Sequence, residues 1–479
     1  MKKVVIIGAG LIGCFAARAL SEYDIDITVL ERSGDVCTGI SKAGTGIVYA
    51  GYDNQPDTLK SSMCISGNRN FDELCRTLDV RYNRCGSLML SYGPEADERI
   101  QRKLENGRIG GIVGLRLISR DEALELEPHI NPNISTALYS EVTGTVNPWE
   151  LCIAAYESAV SNGAEFRFNE TVCGLHRDAN VAGSNADSVK YPPSGSRTFI
   201  VETDQGSYRA DAVINCAGLN ADSIRELCER PCIRIVPTAA DYLVTDKNLS
   251  GYINHIIFHE PETKSKGLTI VPTVDGNLLI GGTERERGND AGFSATSLQG
   301  IDALKKLCGQ ILPDMPLDRF IRSYACSRSN PFYVDETGKI LSEKKSISEL
   351  KLIEENGLYS FIGVKTPGMT MAAELGRYVT NRILEGFENV MKRSDYKPYR
   401  SSIVRPQSMP DEEREAFIST HPEYGKIICR CECVSEGEIR EAIRRGANTI
   451  EAVKRRTSSG MGRCQGSYCR QQIIQMLEE

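Results

Sequence analysis

The chain has 479 residues, room for two or three domains with a sizeable core, and a net charge of −7 that argues against general nucleic-acid binding. No apolar run approaches the roughly eighteen residues of a membrane span, so any membrane contact is expected to be peripheral or through a partner. The 17 cysteines are scattered singly until residue 429, which suits buried thiols in a reducing, cytoplasmic setting better than a disulfide framework.

The first predicted element is a strand at 4–7. Gly8-Ala9-Gly10-Leu11-Ile12-Gly13 follows, then an alanine-rich helix and a second strand, 25–31, ending in Glu31. This is the pattern of a dinucleotide cradle. Gly8 permits the tight turn, Gly10 lets backbone approach a pyrophosphate, and Gly13 lets the helix pack close to the strand. The helix N-terminus offers unpaired N–H groups to phosphates, and Glu31 is placed to accept from a ribose hydroxyl. Lysines before an apolar run also resemble a secretory signal, but that reading explains neither the glycine spacing nor the second strand and its acid. The cradle alone suits NAD or FAD.

The glycine-rich loop after Glu31, reaching Gly51, would let backbone lie flat against a ring system. Helical spacing of apolar residues predicts a helix over 59–78, followed by a strand over 82–92 and a helix over 120–126. Residues 144–148 punctuate the chain before a helix at 149–161 and a strand at 164–172. Residues 178–197 read as a polar surface excursion. The strand at 212–216 ends in Ala217 and Gly218, small residues at a carboxyl edge where ligand crevices open in doubly wound sheets. From 233 to 282 the pattern alternates like an antiparallel sheet. His255 and His259 fall in an apparent strand and read as structural rather than metal-binding. A helix at 298–312 and a strand at 320–327 follow. Residues 357–370 repeat the order strand, glycine loop, helix start, and the helix runs to about 384, so a second N-terminus is expected to face the ligand. Residues 391–424 are charged and proline-dotted, as in a linker.

Five cysteines fall in the tail: Cys429, Cys431 and Cys433, then Cys464 and Cys469. Two close pairs on loops at helix starts suit zinc, an iron–sulfur cluster or disulfides. The CxC and CxxxxC spacings are not those of a zinc ribbon, and beside a redox cradle an iron–sulfur cluster is favoured.

With Gly460-Met461-Gly462-Arg463-Cys464-Gln465-Gly466 and the CxC pair, residues 427–479 resemble the bacterioferritin-associated-ferredoxin-like [2Fe–2S] domain, especially the tails of anaerobic glycerol-3-phosphate dehydrogenase large subunits. That resemblance implies Cys429, Cys431, Cys464 and Cys469 as ligands and leaves Cys433 outside. Residues 1–395 resemble the D-amino-acid-oxidase-like FAD enzymes through the cradle, the 43–51 loop, Asn215-Cys216-Ala217-Gly218 and the 363–368 segment. The resemblance implies FAD, with its adenine end at Gly8, Gly10, Gly13, Glu31 and Val172. The flavin would lie by Ser41, Ala217, Gly218, Gly363, Gly368, Met369 and Thr370.

The implied fold is α/β. A Rossmann-like FAD-binding domain (1–80, 145–225 and 345–395) interleaves with an antiparallel-sheet substrate domain (81–144 and 226–344). A linker at 396–426 and a small helical [2Fe–2S] domain at 427–479 follow. The implied reaction is oxidation of a small anionic hydroxy substrate, glycerol 3-phosphate or a 2-hydroxy acid, with electrons leaving through the cluster to an electron-accepting partner subunit. Arg328 is the expected grip on a carboxylate or phosphate, Lys365 an anion holder or proton acceptor, and Tyr49 a third catalytic candidate. This sequence departs from its relatives at Tyr49, often His in them, and at 237–242. An amine or imino-acid dehydrogenase of hydroxyproline or opine type, and a non-enzymatic redox or iron-handling module, are the alternatives.

Overall fold

The computed structural model describes residues 1–178, 198–261, 267–286, 295–341 and 346–479. The excursion expected at 178–197 lies, beyond its first residue, outside them.

A six-stranded sheet runs in the order Lys351–Glu355, Leu358–Ile362, Ala212–Asn215, Lys2–Ile7, Ile25–Glu31, Glu165–Phe168. Its neighbours are parallel except for the first pair. Val4, Val5, Ile6 and Ile7 are all buried, the unbroken apolar run of a parallel strand covered on both faces. Val4 and Ile6 pack under the helices Leu11–Leu20, Pro148–Ser161 and Gly368–Glu385. Val5 and Ile7 face Leu175, Phe199 and Val201 of a three-stranded antiparallel sheet.

The second large sheet has nine strands, built on the long antiparallel pair Ile233–Thr245 and Phe320–Tyr333. It is mixed: Ile256–His259 runs parallel to Ser87–Ser91, an exception that alternation alone does not reveal. One face packs with helix Leu298–Ile311 around Leu243, Ile257, Ile280 and Leu304. The other carries Tyr242 and Phe258, which pack with Ile47 and Tyr52.

Several expected elements are divided. The 59–78 helix breaks at Asn70 (φ −91°, ψ 0°) into Leu59–Arg69 and Phe71–Leu78. The 82–92 strand splits into Tyr82–Asn83 and Ser87–Ser91, in different sheets, either side of Gly86 at φ +74°. The 164–172 strand likewise becomes Glu165–Phe168 and Val172–Arg177, with Asn169 at φ +56° between them. Helix Pro94–Ile109, absent from the sequence reading, buries only Ala96, Ile100, Leu104 and Gly107, too thin a stripe to stand out among its charges. Within the presumed linker, Asp411–Thr420 is helical.

In the tail, helices Glu436–Arg444, Ile450–Thr457 and Arg470–Glu478 surround Ile428, Val434, Ile439, Val453 and Ile473. Ser435 opens the first with a capping box: its Oγ accepts from Glu438 N at 3.3 Å, and Glu438 Oε2 accepts from Ser435 N at 2.8 Å. Among the described residues, no helix is long and apolar enough to cross a membrane.

Candidate functional site

A cavity of about 930 Å³ opens between the two large sheets. At the cradle, Gly8 has φ +102°, and a Cβ there would meet Cys216 O at 2.6 Å. A Cβ at Gly13 would stand 1.9 Å from Gly8 O, so Gly13 shapes the turn from behind while Gly8 and Gly10 line the cavity. Gly13→Ala is expected to destabilise this turn by about 1–3 kcal/mol of overpacking. It should yield protein with a lowered ratio of flavin to protein absorbance. Glu31 ties the cradle together: Oε2 accepts from Ala9 N at 2.8 Å and Oε1 from Ser33 N at 2.9 Å. Ser41 Oγ accepts from Leu11 N at 3.1 Å, joining the glycine-rich loop to the helix start. Val172, Ala217 and Gly218 complete this part of the wall.

The residues fit FAD. Open backbone at Gly8 and Gly10, a helix N-terminus, a carboxylate for ribose, and a small-residue surface at 43–46 suit a pyrophosphate and a flat ring system.

Beyond the cradle, Tyr49, Arg328, Lys365, Gly368 and Met369 line the same cavity. Gly363 and Thr370 do not. Gly363 (φ +70°) turns the chain against Pro331, and buried Thr370 accepts from Tyr49 N at 3.0 Å, which fixes the Tyr49 loop. Burial raises the Tyr49 phenol well above its ordinary range, against a hydrogen bond with Thr45 that lowers it. Tyr49 therefore stays protonated at neutral pH and is a hydrogen-bonding group rather than a base. Lys365 Nζ donates to Ser346 Oγ at 3.2 Å and to Asn330 Oδ1 at 3.5 Å, and burial lowers its pKa.

Sequence reasoning did not single out Tyr242, Asn330 or Ser346. Cross-strand register brings in the first two, with Thr238 opposite Arg328 and Tyr242 opposite Tyr324, and Ser346 enters from a loop through its bond with Lys365. The Tyr242 ring stacks on Tyr324 with centroids 5.0 Å apart, and burial raises its phenol while the nearby Arg328 cation acts to lower it. Asn330 Nδ2 donates to Thr238 Oγ1 at 2.9 Å. Asp241, part of the departing 237–242 segment, points to the opposite face, where its fully buried carboxylate accepts from Arg285 and Ser297. Its difference from relatives is structural. His255 is structural as well, with Nδ1 2.7 Å from Glu127 Oε1, and His259 sits edge-on to Tyr92.

All 17 cysteines are free thiols. In the tail, Cys429 lies by Cys469 and Cys431 by Cys464, near enough for each thiol to act electrostatically on the other. Among the described residues, no three Cys, His, Asp or Glu side chains gather about one point as a single metal ion would require. The two cysteine loops offer four thiols, the number that a two-iron cluster takes, two to each iron. Backbone donors fit it too. Gly460 N lies 3.4 Å from Cys429 Sγ. Burial pushes the Cys464 thiol up, but the N–H groups of Tyr468, Gly466 and Ser467, with the Cys431 thiol, more than offset it and hold Cys464 below its ordinary range. Cys433 (φ +52°) is exposed, with its sulfur 3.8 Å from Arg430 O, apart from these pairs.

The tail docks on the body through several polar contacts, among them Arg445 with Glu157 at 3.2 Å. Asp35, in the loop after Glu31, accepts from Arg455 at 2.6 Å and from both terminal nitrogens of Arg456 at 2.8 and 2.9 Å. At the end of the long strand pair, Lys247 meets Glu432 at 2.6 Å, Asp246 meets Arg463 at 2.6 Å, and Arg322 donates to Gln465 at 3.3 Å. These tail residues adjoin Cys431 and Cys464, while the same strand pair carries Tyr242 and Arg328 to the cavity wall.

A dinucleotide cradle sharing one cavity with the face of a large mixed sheet is the layout of a flavin-dependent oxidoreductase. Residues 3–382 match the model of the DAO family, the FAD dependent oxidoreductases, and residues 427–479 match the BFD-like [2Fe-2S] binding domain. A glycerol 3-phosphate dehydrogenase of Caloramator mitchellensis is 33% identical over 100% of this chain and 94% of its own length. The human mitochondrial L-2-hydroxyglutarate dehydrogenase is 27% identical over 64% of this chain and 68% of its own. The FAD-bound structure of Mycoplasma pneumoniae L-alpha-glycerophosphate oxidase superposes with a TM-score of 0.71, at 21% identity, over 84% of this chain and 99% of that one. The chain belongs to the FAD-dependent oxidoreductase family and ends in a [2Fe–2S]-binding domain.

Proposed function

We propose that the protein is a dehydrogenase of a small anionic hydroxy substrate, glycerol 3-phosphate or a 2-hydroxy acid, and passes the electrons to a partner subunit. One observation carries this reading. Arg328 and Lys365 line the cavity, and among the described residues neither has a carboxylate within 4 Å, whereas most other arginines of the chain are engaged in ion pairs. The names of the relatives agree, since both dehydrogenases act on hydroxy compounds that carry an anionic group.

Bound FAD supplies the two-electron acceptor for the substrate C–H bond. The chain supplies the hold. Arg328 grips the anionic group from the cavity wall that it shares with Tyr242. Lys365, already donating to Ser346 and Asn330, adds a second cation. Tyr49, kept protonated, can donate to a substrate oxygen.

Anaerobic addition of glycerol 3-phosphate or a 2-hydroxy acid should bleach the flavin absorbance. Arg328→Ala should raise KM by about 100-fold, the loss of one charge-assisted contact to a buried anion. Bleaching by proline derivatives or opines alone would favour the amine-dehydrogenase reading.

Because the folded pKa of Lys365 is below that of an ordinary lysine, its cationic grip should fail at lower pH than usual. KM should therefore rise on the alkaline limb, and Lys365→Arg should remove that rise.

The exposed Cys431 and the exposed Tyr468 support electron exit at the tail to a partner. The free thiols support a cytoplasmic setting, with any membrane contact made through that partner. A cluster-replete enzyme that reduced oxygen as fast as a dye acceptor would refute the partner.

A further inference from the structure

Oxidation of a hydroxy carbon to a carbonyl releases a proton as well as a hydride, and that proton needs an acceptor in the cavity. Tyr49 stays protonated, and Lys365 already acts as a donor. Four carboxylates line the cavity: Glu31, Asp53, Glu170 and Glu284. Glu31 accepts from two backbone N–H groups of the cradle, Asp53 is bound by Lys103 at 2.6 Å, and Glu170 accepts from Thr203 at 2.7 Å. Among the described residues, Glu284 has neither a hydrogen-bond donor nor a cation in contact with it.

Strand register carries Glu284 to the substrate end. Asp241 N donates to Thr283 Oγ1 at 2.9 Å, and Ala239 pairs with Arg285, so Glu284 stands beside Ala240. The side chains of Asp241 and Arg285 meet on the opposite face of the sheet, and strand residues alternate, so Glu284 turns to the cavity. Ala240 in turn pairs with Cys326, and Arg328 follows two residues along, both lining the cavity. Glu284 and Arg328 thus flank the central strand from its two sides, about two strand spacings or ~10 Å across the sheet. The Glu284 carboxylate also acts on Lys365, opposing the fall in pKa that burial imposes there.

We propose that Glu284 is the catalytic base of this site, taking the hydroxyl proton of a substrate whose anionic group is held by Arg328 and Lys365.

This rests on the reading of an anionic hydroxy substrate given above. The C–H bond gives its hydrogen and electron pair, as a hydride, to bound FAD. The O–H bond gives its electron pair to the new C=O bond and its proton to a Glu284 oxygen. Glu284 is exposed at the cavity mouth, so the proton can pass on to water and the carboxylate is restored.

The test uses the FAD-loaded full chain with glycerol 3-phosphate and L-lactate, read as anaerobic flavin bleaching at saturating substrate. Glu284→Gln should slow bleaching by at least about 100-fold, the scale of general-base catalysis. KM should change by less than about threefold. The matching products, dihydroxyacetone phosphate and pyruvate, carry the anionic group but no proton to lose. Their affinity, measured calorimetrically, should stay within about threefold of the wild type. Glu284→Asp should keep part of the rate, and added formate should accelerate Glu284→Ala in proportion to its concentration. An unchanged unfolding temperature controls for folding. Unaltered bleaching in Glu284→Gln, a loss of rate matched by an equal loss of product affinity, or no acceleration of Glu284→Ala by formate overturns the proposal. If neither hydroxy substrate bleaches the wild type but an amino acid does, with the same dependence on Glu284 and formate, the base stands and the hydroxy-substrate reading fails.

Discussion

Asp35→Ala is expected to destabilise the docked tail by about 3–5 kcal/mol, the range for removing one partner of a buried ion pair. Asp35 is 3% exposed and accepts from two arginines that are themselves buried, so its loss leaves two guanidiniums uncompensated. Water does not reach this site well enough to screen them. Both arginines sit in the last turn of Ile450–Thr457, where a helix already favours positive charge, so the whole arrangement depends on a carboxylate arriving from the body. The variant should show faster proteolytic cleavage across residues 396–426 and a lower unfolding temperature. It should also lose flavin, because Asp35 lies two residues from Cys37, whose N–H donates to Ala9 O in the cradle at 3.0 Å. The pH dependence follows from the carboxyl's lowered pKa. Burial pushes it up, but Arg456 and Arg455 more than offset that. A depressed carboxylate stabilises the fold fully above its unfolded value of about 3.9 and loses that contribution only as pH falls through the lower folded value. The wild-type tail should therefore stay docked through mild acid and release only below the ordinary carboxylate range.

The contact between Asp35 and Arg455 and Arg456 spans more than four hundred positions of chain, and nothing local to either partner announces it. The cradle is the opposite case. Gly8, Gly10, Gly13 and Glu31 were legible because a strand, a tight turn and a helix start impose their spacing within thirty residues of backbone. The tail domain was legible for the same reason, through short cysteine motifs whose chemistry is local. Boundaries set by one residue's dihedral angles were not: Asn70, Gly86 and Asn169 each divide what periodicity presents as one element. Helix Pro94–Ile109 escaped because its buried stripe is four residues wide among charges. The substrate end lies between these extremes. Arg328 and Lys365 could be named from motifs, but Tyr242, Asn330 and Ser346 enter only through the register of two long strands and a distant loop.

Cys431→Ala or Cys464→Ala should abolish the cluster while sparing the flavin. Cys433→Ala should leave both. Cys431 and Cys464 sit on the outer side of the tail, exposed and half-buried, so replacing either would remove a proposed ligand without opening the hydrophobic core. Cys429 and Cys469 are each 1% exposed and belong to the packed cluster with Ile439 and Ile473, so their variants combine ligand loss with a packing defect. Iron content and the visible and low-temperature electron paramagnetic resonance spectra separate these cases from simple unfolding. The decisive comparison is kinetic. Substrate should still bleach the flavin in Cys464→Ala at near wild-type rate, since the cavity and the cluster loops share no side chain. Transfer onward to a protein acceptor should fall by at least about 100-fold, a barrier increase of ~3 kcal/mol. Retained turnover with that acceptor would mean that electrons leave from the flavin cavity directly. The contacts of Glu432, Arg463 and Gln465 with the long strand pair would then serve only to anchor the tail. A loss confined to onward transfer would instead give those contacts a functional sense, because they bring both cysteine loops against the strands that wall the active site.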